Sequence, residues 1–380
     1  MKYDQIVFGF QGGGALGAYQ VGVVTALHEA GYYPNWVTGT SIGAINAAII
    51  AGNIPEDRIE KLHQFWSKIS TPDIFDTDII HADMITQRLS HYWSSLSALL
   101  FGQPGFFKPR LISPILDLET SPDHISFYDT SELRSTLEYF IDFELINHKK
   151  NHHAIRLSVG AVEVCEGEMI YFDTEKHKIG PEHIMASAAL PPGFPAVRIE
   201  DKLYWDGGIS SNSPVQYILD DEKYSVALCF LVHLFDSYGV TPKNLDDVLK
   251  RRKDIEFSSR FSHLANLRKE SHCLKYTINQ LAKLIPDDKK KDPAIKEMLF
   301  RGCDRTISLV RFLYTGNPAD LSSKDYEFSK KSADQHIKRG YRDTKQGLEK
   351  SPWLTPIPET AGIVLYDMAE ESCDLPGTRK

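Results

Sequence analysis

The sequence predicts an α/β protein: a central, mostly parallel sheet with helices on both faces, followed by a mainly helical C-terminal extension. Three observations carry that reading. Over the first fifty residues, short apolar runs of strand length alternate with helical patterns, joined by brief glycine-containing links. Two more apolar runs, at 226–234 and 307–314, return far downstream. From about residue 242 the texture changes to amphipathic segments of helical period.

Ile6–Phe10 is a continuous apolar run, as in a strand covered on both faces. Gly12–Gly14 break it. A helical pattern follows from Ala15 to Ala30, with Leu16, Tyr19, Val23, Ala26 and Leu27 on one face and Gly31 as its stop. Trp36–Thr38 is a short second strand, and Gly43–Ala51 a small-residue helix suited to close packing on a sheet. Strand–helix–strand–helix with short links implies parallel pairing. Residues 54–150 read as a helical, irregular insertion. Its aromatic segment, from Tyr92 and Trp93 to Phe106 and Phe107, suits either internal packing or a lid or wall of a binding site. Ile155–Val164 and Met169–Phe172 form a hairpin signature around Glu166-Gly167. Then come a helix at Pro181–Leu190, one strand at Ala196–Tyr204 and a buried strand at Val226–Leu234. Phe257, Phe261, Leu264, Leu267, Leu274 and Ile278 recur at helical steps, predicting one long helix that Pro286 ends. Ile307–Tyr314 reads as a strand, Tyr326–Leu348 as a helix, and the stretch after Pro352 as a tail. The implied division is 1–240 (with the insertion at 54–150), a mainly helical 241–355, and a tail at 356–380.

The 380 residues carry a net charge of −8, unevenly spread: residues 1–240 balance at −14 and residues 241–350 at +9. That basic stretch suits a solvated helical surface or a handle for anionic lipid. Its interspersed acids and lack of a recognition motif argue against nucleic acid. Five cysteines, an odd number without a C-x-x-C pair, argue against a disulfide framework and a zinc cluster and fit a reducing compartment. No apolar run reaches the length of a membrane span or a signal-peptide core, so a cytoplasmic location is expected, with transient peripheral contact at a membrane surface. No metal or cofactor is expected, and no oligomeric state is specified.

Gly12, Gly14 and Gly17 satisfy G-x-G-x-x-G between a strand and a helix, the context of a dinucleotide site. The acidic residue such a site needs some twenty positions later is missing, since residues 34–40 read Pro-Asn-Trp-Val-Thr-Gly-Thr. In its place stands Gly39-Thr40-Ser41-Ile42-Gly43, a G-x-S-x-G turn between a strand and a helix, as a nucleophile elbow requires. A helix N-terminus at Ser41 adds partial positive charge. A glycine run that bares N–H groups, beside a serine turn, suits acyl transfer. Among fourteen histidines, His233 is best placed as a base, yet it reads more simply as a satisfied strand-end side chain. Asp206 follows a strand and precedes Gly207-Gly208; alone it reads as an Asp-Gly turn.

Taken in order, Gly12–Gly17, Gly39–Gly43 and Asp206–Gly208 resemble the three blocks of the patatin-like acyl hydrolases. Ala186-Ser187, Pro191, Phe194-Pro195, Asn212 and Pro214-Val215 are similar to that family too, so the resemblance spans about residues 6–215. It implies a Ser–Asp dyad in which Ser41 attacks an acyl carbonyl and Asp206 takes its proton with no histidine between. It also implies an oxyanion hole from N–H groups of Gly12, Gly13 and Gly14, the latter two above all, with Gly17, Gly39, Gly43, Gly207 and Gly208 in support. Aspartate is a poor base for a hydroxyl unless burial raises its proton affinity. One departure is Leu16, where many members carry Arg or Lys. The segment from Asp304 to Leu354, with Lys324–Ser329 and Gly340–Asp343, is similar to the extra C-terminal region of a bacterial subgroup, to which no chemistry is assigned. The implied activity is hydrolysis of phospholipids or related lipid esters. A polyhydroxyalkanoate depolymerase and a catalytically idle lipid-binding protein are the alternatives.

Overall fold

A computed structural model describes residues 3–72, 84–110, 121–148, 151–221, 223, 226–258, 261–302, 305–355 and 362–369. Parts of the insertion, Cys303, Cys373, Asp304 and most of the tail lie outside the described residues.

The centre is a nine-stranded sheet. Its strands are β1 (Gln5–Phe10), β2 (Trp36–Thr40), β5 (Arg156–Glu163), β6 (Met169–Asp173), β7 (Val197–Ile199), β8 (Lys202–Asp206), β9 (Val226–His233), β10 (Thr306–Leu313) and β11 (Ile363–Asp367); β3 (Lys108–Pro109) and β4 (Tyr128–Asp129) pair separately. The spatial order is β11-β10-β9-β1-β2-β5-β8-β7, with β6 also on β5. From β11 to β5 every pairing is parallel, whereas the pairings of β5 with β6, β5 with β8 and β8 with β7 are antiparallel. The fold is therefore the expected α/β architecture with a mostly parallel sheet.

Side chains alternate between two cores, as the period of a strand demands. Phe8 and Phe10 of β1, with Phe230 and Val232 of β9, face α1 (Ala18–Glu29), α2 (Ile42–Ala51) and α3 (Arg58–Ile69). Val7, Cys229, Leu231 and Leu309 face the other way, against α8 (Val215–Asp220) and Phe261. Around the sheet the chain adds α4 (Met84–Phe101), α5 (Ser131–Phe140), α6 (Phe143–Asn147) and α7 (Pro181–Ser187). Beyond β9 come α9 (Leu245–Phe257), α10 (Phe261–Leu284), α11 (Pro293–Phe300) and α12 (Lys330–Lys350).

Four local expectations change. The strand at 196–204 is two strands, β7 and β8, because Glu200 turns the chain at a φ of 53°. The single helix through Phe257 and Phe261 divides at Ser258, whose hydroxyl donates to the Ile255 carbonyl at 3.0 Å. The helix expected from Tyr326 begins at Lys330, where the Ser329 side chain caps Ser332 N–H, and Lys324–Tyr326 is a 3-10 turn. Ile363–Asp367 is a sheet strand rather than tail, and Arg311 of β10 pairs with Asp367 across the two strands.

The C-terminal region is woven into this frame. β10 and β11 extend the sheet, and α12 crosses α1 at close range through facing glycines. A Cβ on Gly340 would lie 2.1 Å from the Tyr19 carbonyl oxygen, and one on Gly22 would lie 1.9 Å from that of Ile337. Tyr19 donates to Asp343 at 3.1 Å across the same contact. Gly340→Val should force the helices apart and lower stability by roughly 2 kcal/mol or more, read as the midpoint of thermal unfolding. Gly167→Ala, in an open turn with nothing within 4 Å, should cost only about 1 kcal/mol of backbone strain.

Candidate active site

The loops at the C-terminal ends of β1 and β2 meet at the middle of the parallel run, the usual site-forming position of an open α/β sheet. Leaving β2, the chain must reverse into α2 within one residue, and Ser41 does so at φ 57° and ψ −130°. That conformation is costly for a side chain with a Cβ and is held by its surroundings. Gly39 and Gly43 permit the tightness: a Cβ on Gly39 would fall 2.3 Å from the Gly43 carbonyl, and one on Gly43 would fall 2.5 Å from the Phe10 carbonyl oxygen. Ser41 N–H donates to both the carbonyl and the hydroxyl oxygen of Ser187, each at 3.1 Å. The Ser187 hydroxyl in turn donates to the Gly160 carbonyl at 2.6 Å. The Ser41 carbonyl accepts from Ala44 and Ile45, which sets the start of α2 at the serine.

Strand register brings Asp206 to the same place. Thr40 of β2 lies opposite Gly160 of β5, and the next residue, Ala161, lies opposite Asp206 of β8. The Asp206 N–H is fixed on the Ala189 carbonyl at 3.0 Å, two residues past Ser187. Asp206 is 1% exposed, its carboxylate accepts the Gly208 N–H at 2.7 Å, and the Ser41 side chain lies close enough to lower its proton affinity. Burial pushes its pKa up to about 7, and the influence of Ser41 and of the Gly208 N–H only partly offsets that. A Cβ at Gly207 would meet the Gly160 carbonyl oxygen at 2.7 Å, so this turn, too, needs a glycine.

The glycine loop lies directly above. Gly12 N–H donates to the Asn212 carbonyl at 3.2 Å, and Asn212 Nδ2 donates back to the Gly12 carbonyl at 3.0 Å. The expectation that Gly12 is a free donor therefore changes, because its amide is spent on the Asn212 carbonyl. Among the described residues, no acceptor is recorded for the N–H groups of Gly13 or Gly14. Gly14 adopts φ +54°. Gly17 packs on Ile42 and Trp66, where a Cβ would lie 2.7 Å from the Ile42 side chain. Leu16 is fully buried in the core, so an apolar side chain is what the position accepts.

Two groups escaped the sequence reading. Gln11 splints the loop: its Oε1 accepts Leu234 and Phe235 N–H, and its Nε2 donates to the Phe257 carbonyl at 2.8 Å. A polar side chain between an apolar run and a glycine run was the available signal. The second group comes from the C-terminal region, whose Phe257, Asp325, Tyr326 and Phe328 line a cavity of about 280 Å³ over Ser41 and Asp206. Leu99, Phe106, Phe107 and Phe194 supply much of the rest, so part of the aromatic segment is a cavity wall. Phe107 packs on Phe194 with ring centroids 5.1 Å apart and on Tyr128 at 5.0 Å. Tyr92 and Trp93 remain half exposed. Among the described residues no histidine lines this cavity. His233 is buried elsewhere, 3.0 Å from the Ser213 hydroxyl and edge-on to Phe261, with its pKa pushed down by burial and by Arg311.

Asn212→Ala would remove the bonds to Gly12 and Phe257 from a buried site, at a cost of about 1–3 kcal/mol. The expected result is a lower thermal midpoint together with faster amide hydrogen exchange at Gly12.

Comparison with known proteins identifies the family. The family model described as patatin-like phospholipase matches residues 10–219, and a further one described as patatin phospholipase matches residues 255–360. No curated protein matches the chain. Among solved structures, VipD from Legionella pneumophila is similar over 92% of this chain and 67% of its own, at 16% identity and a TM-score of 0.40. With the first model covering more than half of its length, from the end of β1 through the Asp206 turn and into α8, the chain belongs to the patatin-like phospholipase family.

Proposed function

We propose that the protein is a serine-dependent lipid acyl hydrolase that cleaves carboxylic esters of phospholipids or related lipids through Ser41 and Asp206. Family membership supports lipid ester hydrolysis in general terms. The single observation that carries the finer reading is a buried carboxylate, with its pKa raised to about 7, beside the Ser41 side chain in one cavity. A base of ordinary aspartate pKa is badly matched to a hydroxyl, and raising it to about 7 narrows the gap at working pH.

In this reading Ser41 Oγ attacks the ester carbonyl carbon while its proton passes to Asp206, so no free alkoxide forms. The carbonyl oxygen becomes an oxyanion held by Gly13 and Gly14 N–H, each donor contributing on the order of 3 kcal/mol. The positive end of α2 favours the same charge. Collapse breaks the ester C–O bond, and the departing alcohol takes the proton back from Asp206. Water then attacks the acyl-Ser41 ester, giving its proton to Asp206, which returns it to Ser41 as the fatty acid leaves. The apolar, aromatic cavity suits the acyl chain.

Transient contact with a lipid surface fits the cavity rim, where Leu99 is 42% exposed and lies beside Leu100 and Phe101, both still more open. No helix among the described residues is long and apolar enough to cross a membrane. Several basic residues of the 241–350 stretch, Lys253, Lys324 and Arg311 among them, are ion-paired within the fold, which favours a structural role for them over an electrostatic handle.

Ser41→Ala and Asp206→Asn should each lower hydrolysis of a p-nitrophenyl ester by about a thousandfold or more, and Ser41→Ala should abolish labelling by a fluorophosphonate probe. For the wild type, kcat/KM should rise with pH through about 7 and then level, because the base must be ionised. Stability runs the other way. A carboxyl whose folded pKa exceeds its unfolded value loses stability as pH rises from about 4 through about 7. Asp206→Asn should therefore be more stable than wild type at pH 8, by an amount on the order of 4 kcal/mol, and the gap should shrink toward pH 4.

A further inference from the structure

Two adjacent opposite charges on α9, Lys253-Asp254, face two on the 3-10 turn, Lys324-Asp325, and the partners cross. Lys253 Nζ lies 2.6 Å from Asp325 Oδ1, and Lys324 Nζ lies 2.6 Å from Asp254 Oδ1. Side-chain exposure runs from 7% at Lys324 to 22% at Lys253, so water screens the pairs only in part. Each lysine also covers a ring: Lys253 sits 5.0 Å from the Tyr326 centroid and Lys324 sits 5.3 Å from that of Phe235. Lys253 donates further to the Ser322 carbonyl at 2.8 Å, and Asp246 accepts the Ser322 N–H at 3.0 Å.

What this clamp holds lies against the glycine loop. The Asp325 carbonyl oxygen rests on Gly14, where a Cβ would be only 2.0 Å away. Tyr326 and Phe328, just beyond, form cavity wall. An isolated surface ion pair contributes little. Two crossed, half-buried pairs with ring contacts instead specify one seating of the turn.

We propose that this crossed ion pair is a clasp through which the C-terminal region positions the Gly13–Gly14 donors and completes the acyl-chain wall. The inference rests on the hydrolase reading above. Lys253, Asp254 and Lys324 act as positioning residues, and Asp325 acts through its backbone carbonyl on Gly14. Oxyanion donors work only within a narrow distance of the developing charge, so a loop that shifts loses turnover more than affinity.

The test compares wild type, Asp325→Lys, Asp325→Asn and the charge swap Lys253→Asp/Asp325→Lys, using hydrolysis of a p-nitrophenyl ester, fluorophosphonate labelling and the thermal midpoint. Asp325→Lys should lower kcat about tenfold or more with KM within about twofold, and Asp325→Asn should fall between it and wild type. The swap restores the 253–325 pair with its signs exchanged, leaves Lys324–Asp254 in place, and should recover kcat to within about threefold of wild type. A swap as inactive as the single variant overturns the proposal, and so does a single variant with wild-type kcat. Should Asp325→Lys fail to fold, the swap alone decides by its activity. A wild type that neither hydrolyses the ester nor labels overturns the hydrolase reading and this inference with it. A wild type that is active but indifferent to the clasp overturns this inference alone.

Discussion

A hydroxyl and a buried carboxylate far apart in the chain meet at one cavity, and the rest of the site is built around keeping them together. Their meeting is a matter of sheet register. β2 places Thr40 beside Gly160, and β8, running the opposite way on the far side of β5, places Asp206 beside Ala161. A one-residue slip would turn every side chain of β8 to the other face and take the carboxylate away from the serine. Ser187 and Ala189 secure the register from above, one gripping the serine backbone and the other the aspartate backbone.

Close approach of backbone to backbone is the second constraint. Gly39, Gly43 and Gly207 sit where a single added carbon would collide with a carbonyl oxygen or its carbon. The strained serine, the buried carboxylate and the two unengaged amides are each unfavourable for folding taken alone. They persist because an extensive core on both faces of the sheet and a hydrogen-bonded frame of Gln11, Asn212 and Ser187 hold them. Destabilisation of this kind is common where a fold serves chemistry.

Much of this was legible in the residues. The strand-loop-helix order, the serine turn and the glycine loop follow from local pattern, since apolar runs, glycine breaks and helical period report local conformation directly. Asp206 was recognisable only in company with the other two blocks, because an Asp-Gly turn has no chemistry written in it. The misread elements depend on tertiary partners. Ile363–Asp367 looked like part of a proline- and acid-rich tail until β10 offered it an edge. The turn at Glu200 demands a positive φ that the residue type does not advertise. Least visible of all was the contribution of the C-terminal region. Phe257, Tyr326 and Phe328 belong to segments whose periodicity says only that they pack somewhere, and nothing local says that they pack over the serine.

Proton transfer from Ser41 depends on the proton affinity of Asp206, and infrared difference spectroscopy reads that affinity directly. Titrating the purified protein should reveal the C=O stretch of a protonated carboxyl that disappears with a midpoint near pH 7 and is missing from Asp206→Asn. A midpoint near 4, the ordinary range for an exposed aspartate, would show a carboxylate too weakly basic for the role and contradict the account.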